Sequence, residues 1–159
     1  MNNDVGKKMI LPNSVWWLLI ATLSFLVDQL VKIFLITGWW AERDIFDWLR
    51  IDIVFNHGLA FGLGDGYGLM VSMAAFLLFV YFLFTNIDWW YNSVFLQVGV
   101  GLVFGGAISN LVDRFRFGGG VVDYIDLPFY SVFNLADVFI LVGLLILIYK
   151  FWNYDNIRK

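Results

Sequence analysis

The chain has no cysteine, one histidine and two prolines among its 159 residues. Without cysteine there is no disulfide, no thiol nucleophile and no cysteine-based metal site. A single histidine, His57, rules out a multi-histidine metal centre and leaves a Ser–His pair only through that residue. It is followed by Gly58 and the glycines of 62–68, so it reads as a turn histidine rather than a catalytic one. Charge is scarce too: 14% of residues, summing to a net −3, which supplies no basic face for nucleic acid. Internal repeats and low-complexity tracts are absent.

What fills the chain is hydrocarbon. It is 61% hydrophobic and 20% aromatic, with a mean hydropathy of +0.78. A soluble domain is about half apolar. The excess here lies in long runs, which points to a membrane rather than to a large core. Four runs are long enough to cross a bilayer: 15–37, 67–87, 92–112 and 134–154. The first follows Lys7 and Lys8 but is too long for a signal-peptide core and lacks a small-residue cleavage site, so it reads as an uncleaved span. The expected architecture is an all-α membrane core in a single domain covering 1–159. Four spans put both termini on one side. The ends carry Lys7, Lys8, Lys150, Arg158 and Lys159 and the short middle connection no lysine or arginine, against Arg43, Arg50, Arg114 and Arg116 on the other side; this slight bias predicts cytoplasmic termini. The polar excursions 38–66 and 113–133 then share the outer face.

Within these runs a few residues stand out. Asp28 and Lys32 lie one helical turn apart, acid before base, the favourable order for a pair. Either alone would cost about 2.5–3.5 kcal/mol at mid-membrane. The structural reading has Lys32 snorkelling to the interface with Asp28 against it; the functional one has them touching substrate. Gly101, Gly105 and Ser109 recur every fourth residue, a stripe that lets another helix approach closely. Trp39, Trp40 and Trp48 mix with charges as interfacial segments do. Residues 51–56 partly alternate, with Ile51, Ile53 and Phe55 on one side, and 121–126 are strand-like as well. Asn134 is placed to cap the last span, with Asp137 at its third helical position.

Asp123 and Asp137 are the candidate chemistry. Two carboxylates sharing a proton can both activate water and protonate an amide nitrogen, the two needs of peptide hydrolysis. Asp123, among Val121, Val122 and Tyr124, is the candidate proton donor, and Asp137, at a helix start, the candidate base. Against this stands a plainer reading, in which Asp137 only caps its helix and Asp123 is a solvated loop acid. Asp123, Asp126 and Asp137 could also hold a hard cation, although they lack the dense spacing of a calcium loop. Two further classes remain open: a small transporter relaying protons through Asp28, Lys32 and Asp137, and a scaffold that dimerises through the Gly101/Gly105/Ser109 stripe.

Five motifs, in order, carry a resemblance. They are D-Q-x-x-K at Asp28, Gln29 and Lys32; N-x-G-x-A-F at Asn56, Gly58, Ala60 and Phe61; G-G-A-x-x-N-x-x-D-R from Gly105 to Arg114; V-V-D at Val121 to Asp123; and F-N-x-A-D at Phe133 to Asp137. On these the chain resembles the bacterial lipoprotein signal peptidases from Asp28 to about Gly143. The resemblance implies a cofactor-free, metal-free intramembrane aspartic endopeptidase of the bacterial inner membrane. Its substrate would be a diacylglyceryl-modified prolipoprotein, cut just before the lipidated cysteine. The catalytic pair falls on Asp123 and Asp137, and site-supporting residues fall on Asn56, Asn110, Arg114, Asn134, Asp28 and Lys32. The implied fold is four transmembrane helices with a small extracytoplasmic β-cradle and an interfacial helix, the Trp-rich 39–50 fitting the latter. The enzyme is expected to act as a monomer among membrane lipids. Ser109 departs from the family pattern, where glycine often precedes the asparagine, and the Asp123–Asp137 interval is short.

Overall fold

The computed structural model describes residues 15–38, 43–58 and 66–157. In chain order they form α1 (Val15–Ile36), β1 (Arg43–Phe46), β2 (Leu49–Asn56), α2 (Gly68–Thr85), α3 (Ile87–Trp90), α4 (Val94–Arg116), β3 (Val121–Asp126) and α5 (Leu135–Ile157). Helices α1, α2, α4 and α5 each contain a membrane-length apolar span. They match the four predicted runs to within a few residues. Their outward faces carry Leu30, Leu78 and Ile148, all exposed, as expected where the surrounding solvent is lipid.

Helix α4 is the centre of the bundle, and small residues make it so. On one face, a Cβ added to Gly101 would lie 2.7 Å from the Trp17 carbonyl oxygen, and one on Gly105 would collide with the Ala21 carbonyl oxygen. Ser109 continues that stripe into α1. On the other face, a Cβ on Gly106 would come within 2.6 Å of the Ala136 carbonyl oxygen, and one on Gly143 would meet the Gly99 carbonyl oxygen at the same distance. The helices touch backbone to backbone on both sides of α4, so association rests on close van der Waals approach rather than on a hydrophobic drive. The predicted packing stripe is thus spent inside the molecule, on α1, which removes the surface that the scaffold reading required. Gly105→Ala is expected to push α1 and α4 apart and cost about 1–3 kcal/mol, as overpacking does; the unfolding midpoint in detergent measures it.

Helix α2 stands apart, packing lightly on α4 and burying only Gly68 and Leu83. At the end away from the sheet, Leu83, Trp90, Leu96, Val100, Val103 and Leu147 form the apolar core.

At the other end the strands make one antiparallel sheet in the order β1-β2-β3. Val54 pairs with Asp123 and Asn56 with Val121. The expected strands at 51–56 and 121–126 are present, but a register irregularity between Ile51 and Val54 breaks the alternation. Phe55 is therefore exposed, and its ring lies 5.3 Å from that of Phe117.

The interfacial helix is corrected over 43–50. These residues form a hairpin whose β1 arm pairs Arg43 with Ile51, and Phe46 and Trp48 stack at its tip, 5.4 Å apart and 9° from parallel. Pairing with β2, itself anchored on β3, outweighs the local amphipathic pattern. Trp39 and Trp40, Ala60 and Phe61, and the terminal Lys7, Lys8 and Lys159 lie outside the described residues.

Candidate active site

The site is built at the first turn of α5, where four backbone N–H groups need partners. Leu135 N–H donates to the Tyr124 hydroxyl at 3.2 Å, Ala136 N–H to Asp28 Oδ1 at 3.0 Å, and Asp137 N–H to Asn134 Oδ1 at 3.0 Å. Val138 N–H donates to the Asn134 carbonyl oxygen at 3.4 Å. In return Asn134 N–H donates to Asp137 Oδ2 at 3.1 Å, closing a reciprocal capping box with aspartate in the acidic place. The predicted cap is present, and it fixes the Asp137 backbone and one of its oxygens. The other oxygen, Oδ1, accepts from Asn110 Nδ2 at 2.8 Å.

Asp28 reaches this turn from α1, and what holds it there is a buried ionic cluster. Lys32 Nζ is 2.7 Å from Asp28 Oδ2 and 2.7 Å from Asp113 Oδ2, and it donates to Asn110 Oδ1 at 3.0 Å. Lys32 is therefore not snorkelling; its side chain is 2% exposed and faces three oxygens. Ser109 Oγ donates to Asp28 Oδ2 at 2.6 Å and accepts from Gln29 Nε2 at 2.9 Å. Gln29 Nε2 also donates to Asp113 Oδ1 at 2.8 Å. The serine that departs from the family pattern is thus tied into the cluster from both sides. Asp113 in turn accepts from Val122 N–H at 3.3 Å. One lysine joins the carboxylate that caps α5 to the carboxylate that holds β3.

Asp123 follows Val122 on β3 and is buried, 3% exposed, which excludes the solvated-loop reading. Its Oδ1 accepts from Asn134 Nδ2 at 2.7 Å and its Oδ2 from Asn56 Nδ2 at 2.9 Å. Asn134 Nδ2 also donates to Asn110 Oδ1 at 3.2 Å. A chain of amides therefore runs from Asp123 through Asn134 and Asn110 to Asp137. Burial, and after it the charge of Asp137, push the Asp123 carboxyl up to about 7, against the lowering effect of its two asparagine donors. Burial also raises the Tyr124 phenol, which keeps it neutral at the α5 cap.

Arg114 completes the rim. Gly118 and Gly119 take φ of +61° and +100°, a left-handed exit from α4 that favours glycine. That turn folds back so that Arg114 Nη1 donates to the Gly119 carbonyl oxygen at 2.7 Å and Nη2 to the Gly58 carbonyl oxygen at 2.9 Å. The guanidinium also packs on Gly68, where any side chain would strike it. Arg114 thereby clamps the turn after β2, the turn before β3 and the start of α2. Exposed His57 belongs to this turn and lies against Gly120.

A cavity of about 540 Å³ opens beside these residues. Asn56, Asn110, Arg114, Asp123 and Asp137 line one end. Phe76 and Phe79 of α2, Val103 of α4, and Ile140, Leu141 and Leu144 of α5 line the rest. Leu141 is itself exposed on the lipid-facing side, so the cavity is a cleft between α2 and α5, floored by α4 and open to the bilayer. Seven of the eight site residues named from the sequence are joined here in one network of hydrogen bonds and ion pairs, and the eighth, Arg114, bonds to backbone carbonyls instead. Asp28 and Lys32 stand one layer behind, and Arg114 and Asn56 frame the mouth. The sequence reading passed over Asp113 and Tyr124. Asp113 had a visible signal, the aspartate before Arg114 in the G-G-A-x-x-N-x-x-D-R motif, but no role was drawn from it. Tyr124 had none, because its partner is set only by the packing of β3 on α5.

Membrane-length helices with a polar, acid-lined end to a lateral cleft define an integral-membrane enzyme of the multi-helix type. The sequence profile described as Signal peptidase (SPase) II matches residues 20–153. The chain belongs to that peptidase family. It is 33% identical over 147 residues to a lipoprotein signal peptidase of Halothermothrix orenii, covering 87% of this chain and 97% of that protein. With one of Brucella ovis it shares 38% over an alignment of 163 residues, covering 91% and 97%. Among solved structures it is similar to a bacterial membrane enzyme determined by the in meso method at 2.3 Å resolution, with a TM-score of 0.75 and 28% identity over 90% of this chain and 91% of that one. A second such enzyme, at 1.9 Å, gives 0.68 and 29%, over 83% and 89%.

Proposed function

We propose that the whole chain acts as one intramembrane aspartic endopeptidase. It removes the signal peptide from diacylglyceryl-modified prolipoproteins, cutting just before the lipidated cysteine. It works as a monomer in the bacterial inner membrane, with cytoplasmic termini and the sheet end outside. The observation that carries this reading is the pair of carboxylates, one from β3 and one from the first turn of α5, lining the same end of a lipid-open cleft. The names of the curated relatives supply the substrate class.

In this mechanism the acyl chains stay in the bilayer while the signal peptide enters between α2 and α5. Asp137 takes a proton from water as its oxygen adds to the scissile carbonyl carbon, and Asp123 gives its proton to the carbonyl oxygen. The gem-diol collapses when Asp137 passes its proton to the amide nitrogen and Asp123 recovers one from a diol hydroxyl, breaking the C–N bond. Asn110 and Asn134 hold the two acids in register through the amide chain. The clustering of acids at one end of the bundle disfavours a transmembrane proton relay.

The neutral form of Asp123 is the starting donor, and that form disappears as pH rises through about 7. Cleavage by the purified enzyme is therefore expected to fall about tenfold per pH unit above that value, and to fall again at acid pH where the base Asp137 is protonated, giving a bell-shaped profile. A profile that rises across the same window would remove Asp123 as donor. The substrate reading is tested by cleavage of a diacylglyceryl prolipoprotein beside its unmodified precursor. Only the lipidated form is expected to be cut; equal cleavage of both would discard the lipid requirement.

A further inference from the structure

The end of the bundle opposite the carboxylates holds a second cavity, of about 620 Å³, that the peptidase chemistry does not use. It lies where the spans leave the hydrocarbon, between the last turn of α2, helix α3, the start of α4 and the late turns of α5. Asp88 and Lys150 both line it, yet they make no ion pair with each other among the described residues. The Lys150 ammonium lies 5.2 Å from the centre of the Phe95 ring and donates to no side chain among the described residues. Asn86 and Asn153 add polar groups. Both donors of the Asn86 amide are engaged, by the Phe82 carbonyl oxygen at 2.9 Å and Thr85 Oγ1 at 3.0 Å, so it offers the cavity a carbonyl oxygen. Trp89 and Phe151 close the apolar side, their rings edge to face at 6.1 Å. A tryptophan and a lysine at this depth are the usual contacts of lipid headgroups.

We infer that this cavity binds the headgroup of a zwitterionic glycerophospholipid carrying a primary amine, with phosphate on Lys150 and ammonium on Asp88 and the Asn86 carbonyl. Two separated charges of opposite sign, with no ion-pair partner among the described residues, match a headgroup that itself carries two. A purely anionic lipid would leave its negative charge beside Asp88. A choline headgroup has no N–H to give to Asp88 or Asn86. The volume is in the range that holds a small ligand's polar part. The exposed flanks of α2 and α5, at Leu78 and Ile148, offer apolar surface to the acyl chains.

The test is native mass spectrometry of the delipidated full-length protein in detergent, with dioleoyl phosphatidylethanolamine, phosphatidylcholine and phosphatidylglycerol at equal concentration. The wild type is expected to retain phosphatidylethanolamine roughly threefold or more above the other two, the scale of one charge-assisted contact. Asp88→Asn should erase that preference, and Lys150→Gln should lower retention of all three. Both variants are expected to keep wild-type unfolding midpoints. A measurement on the wild type alone guards against a misfolded variant: retention should fall stepwise along the N-methyl and N,N-dimethyl headgroups. Equal retention of the three lipids, or a methylation series without a trend, would overturn the assignment. So would glycerophosphoethanolamine competing as well as the intact lipid, because the occupant would then be a soluble phosphoamine.

Discussion

Asp123→Asn is expected to reduce cleavage of a diacylglyceryl prolipoprotein by at least about 10³-fold, because it removes a general acid that nothing nearby replaces. The substitution conserves volume but not polarity. Both Asp123 oxygens accept from amide NH₂ groups, of Asn134 and Asn56, and an asparagine turns one acceptor into a donor facing a donor. Some loss of stability accompanies it, so activity must be read at a temperature where the unfolding curve shows a folded variant. Asp137→Asn is expected to be as inactive, with a further loss from its capping box. Turnover by either folded variant within tenfold of the wild type would end the two-carboxylate mechanism.

The second large effect lies behind the site. Lys32→Met takes away the one cation that Asp28 and Asp113 share at 2.7 Å each. Two buried carboxylates are then left with only neutral donors. Breaking a buried pair by removing one partner costs about 3–5 kcal/mol, and here one side chain serves two partners. A lowered unfolding midpoint in detergent is expected. Adding Asp113→Asn to Lys32→Met should recover part of it by removing one of the two stranded charges. The single variant should also cleave slowly even where folded, because Asn110 loses the ammonium donating to its Oδ1 while still donating to Asp137. An unchanged midpoint would mean the cluster holds nothing together.

The spans could be read from hydropathy alone because each is a local run of apolar residues with few charges. Asp28 and Lys32 could be paired because a helix sets i and i+4 side by side. Asn134 and Asp137 could be placed at a helix start because capping is a three-residue affair. What escaped reading depends on distant chain. Asp113 meets Gln29 across 84 residues, and no local pattern announces that meeting. The hairpin at 43–50 has charges and aromatics spaced as in an interfacial helix, and only the sheet edge supplied by β2, in register with β3, makes it a strand. One of the two readings of Lys32 takes it to the interface because an isolated buried lysine is costly. That cost is offset once Asp113 and Asn110 arrive from α4 to join Asp28 around the ammonium.

The cap that Asp28 places on Ala136 N–H joins the first span to the last across 108 residues. Synthesis proceeds from the amino end, so α1 enters the bilayer with Asp28 and Lys32 already neutralising each other, well before their other partners emerge. Because Asp137 lies on α5, the proposed carboxylate pair can assemble only once that span has docked on α4 and α1.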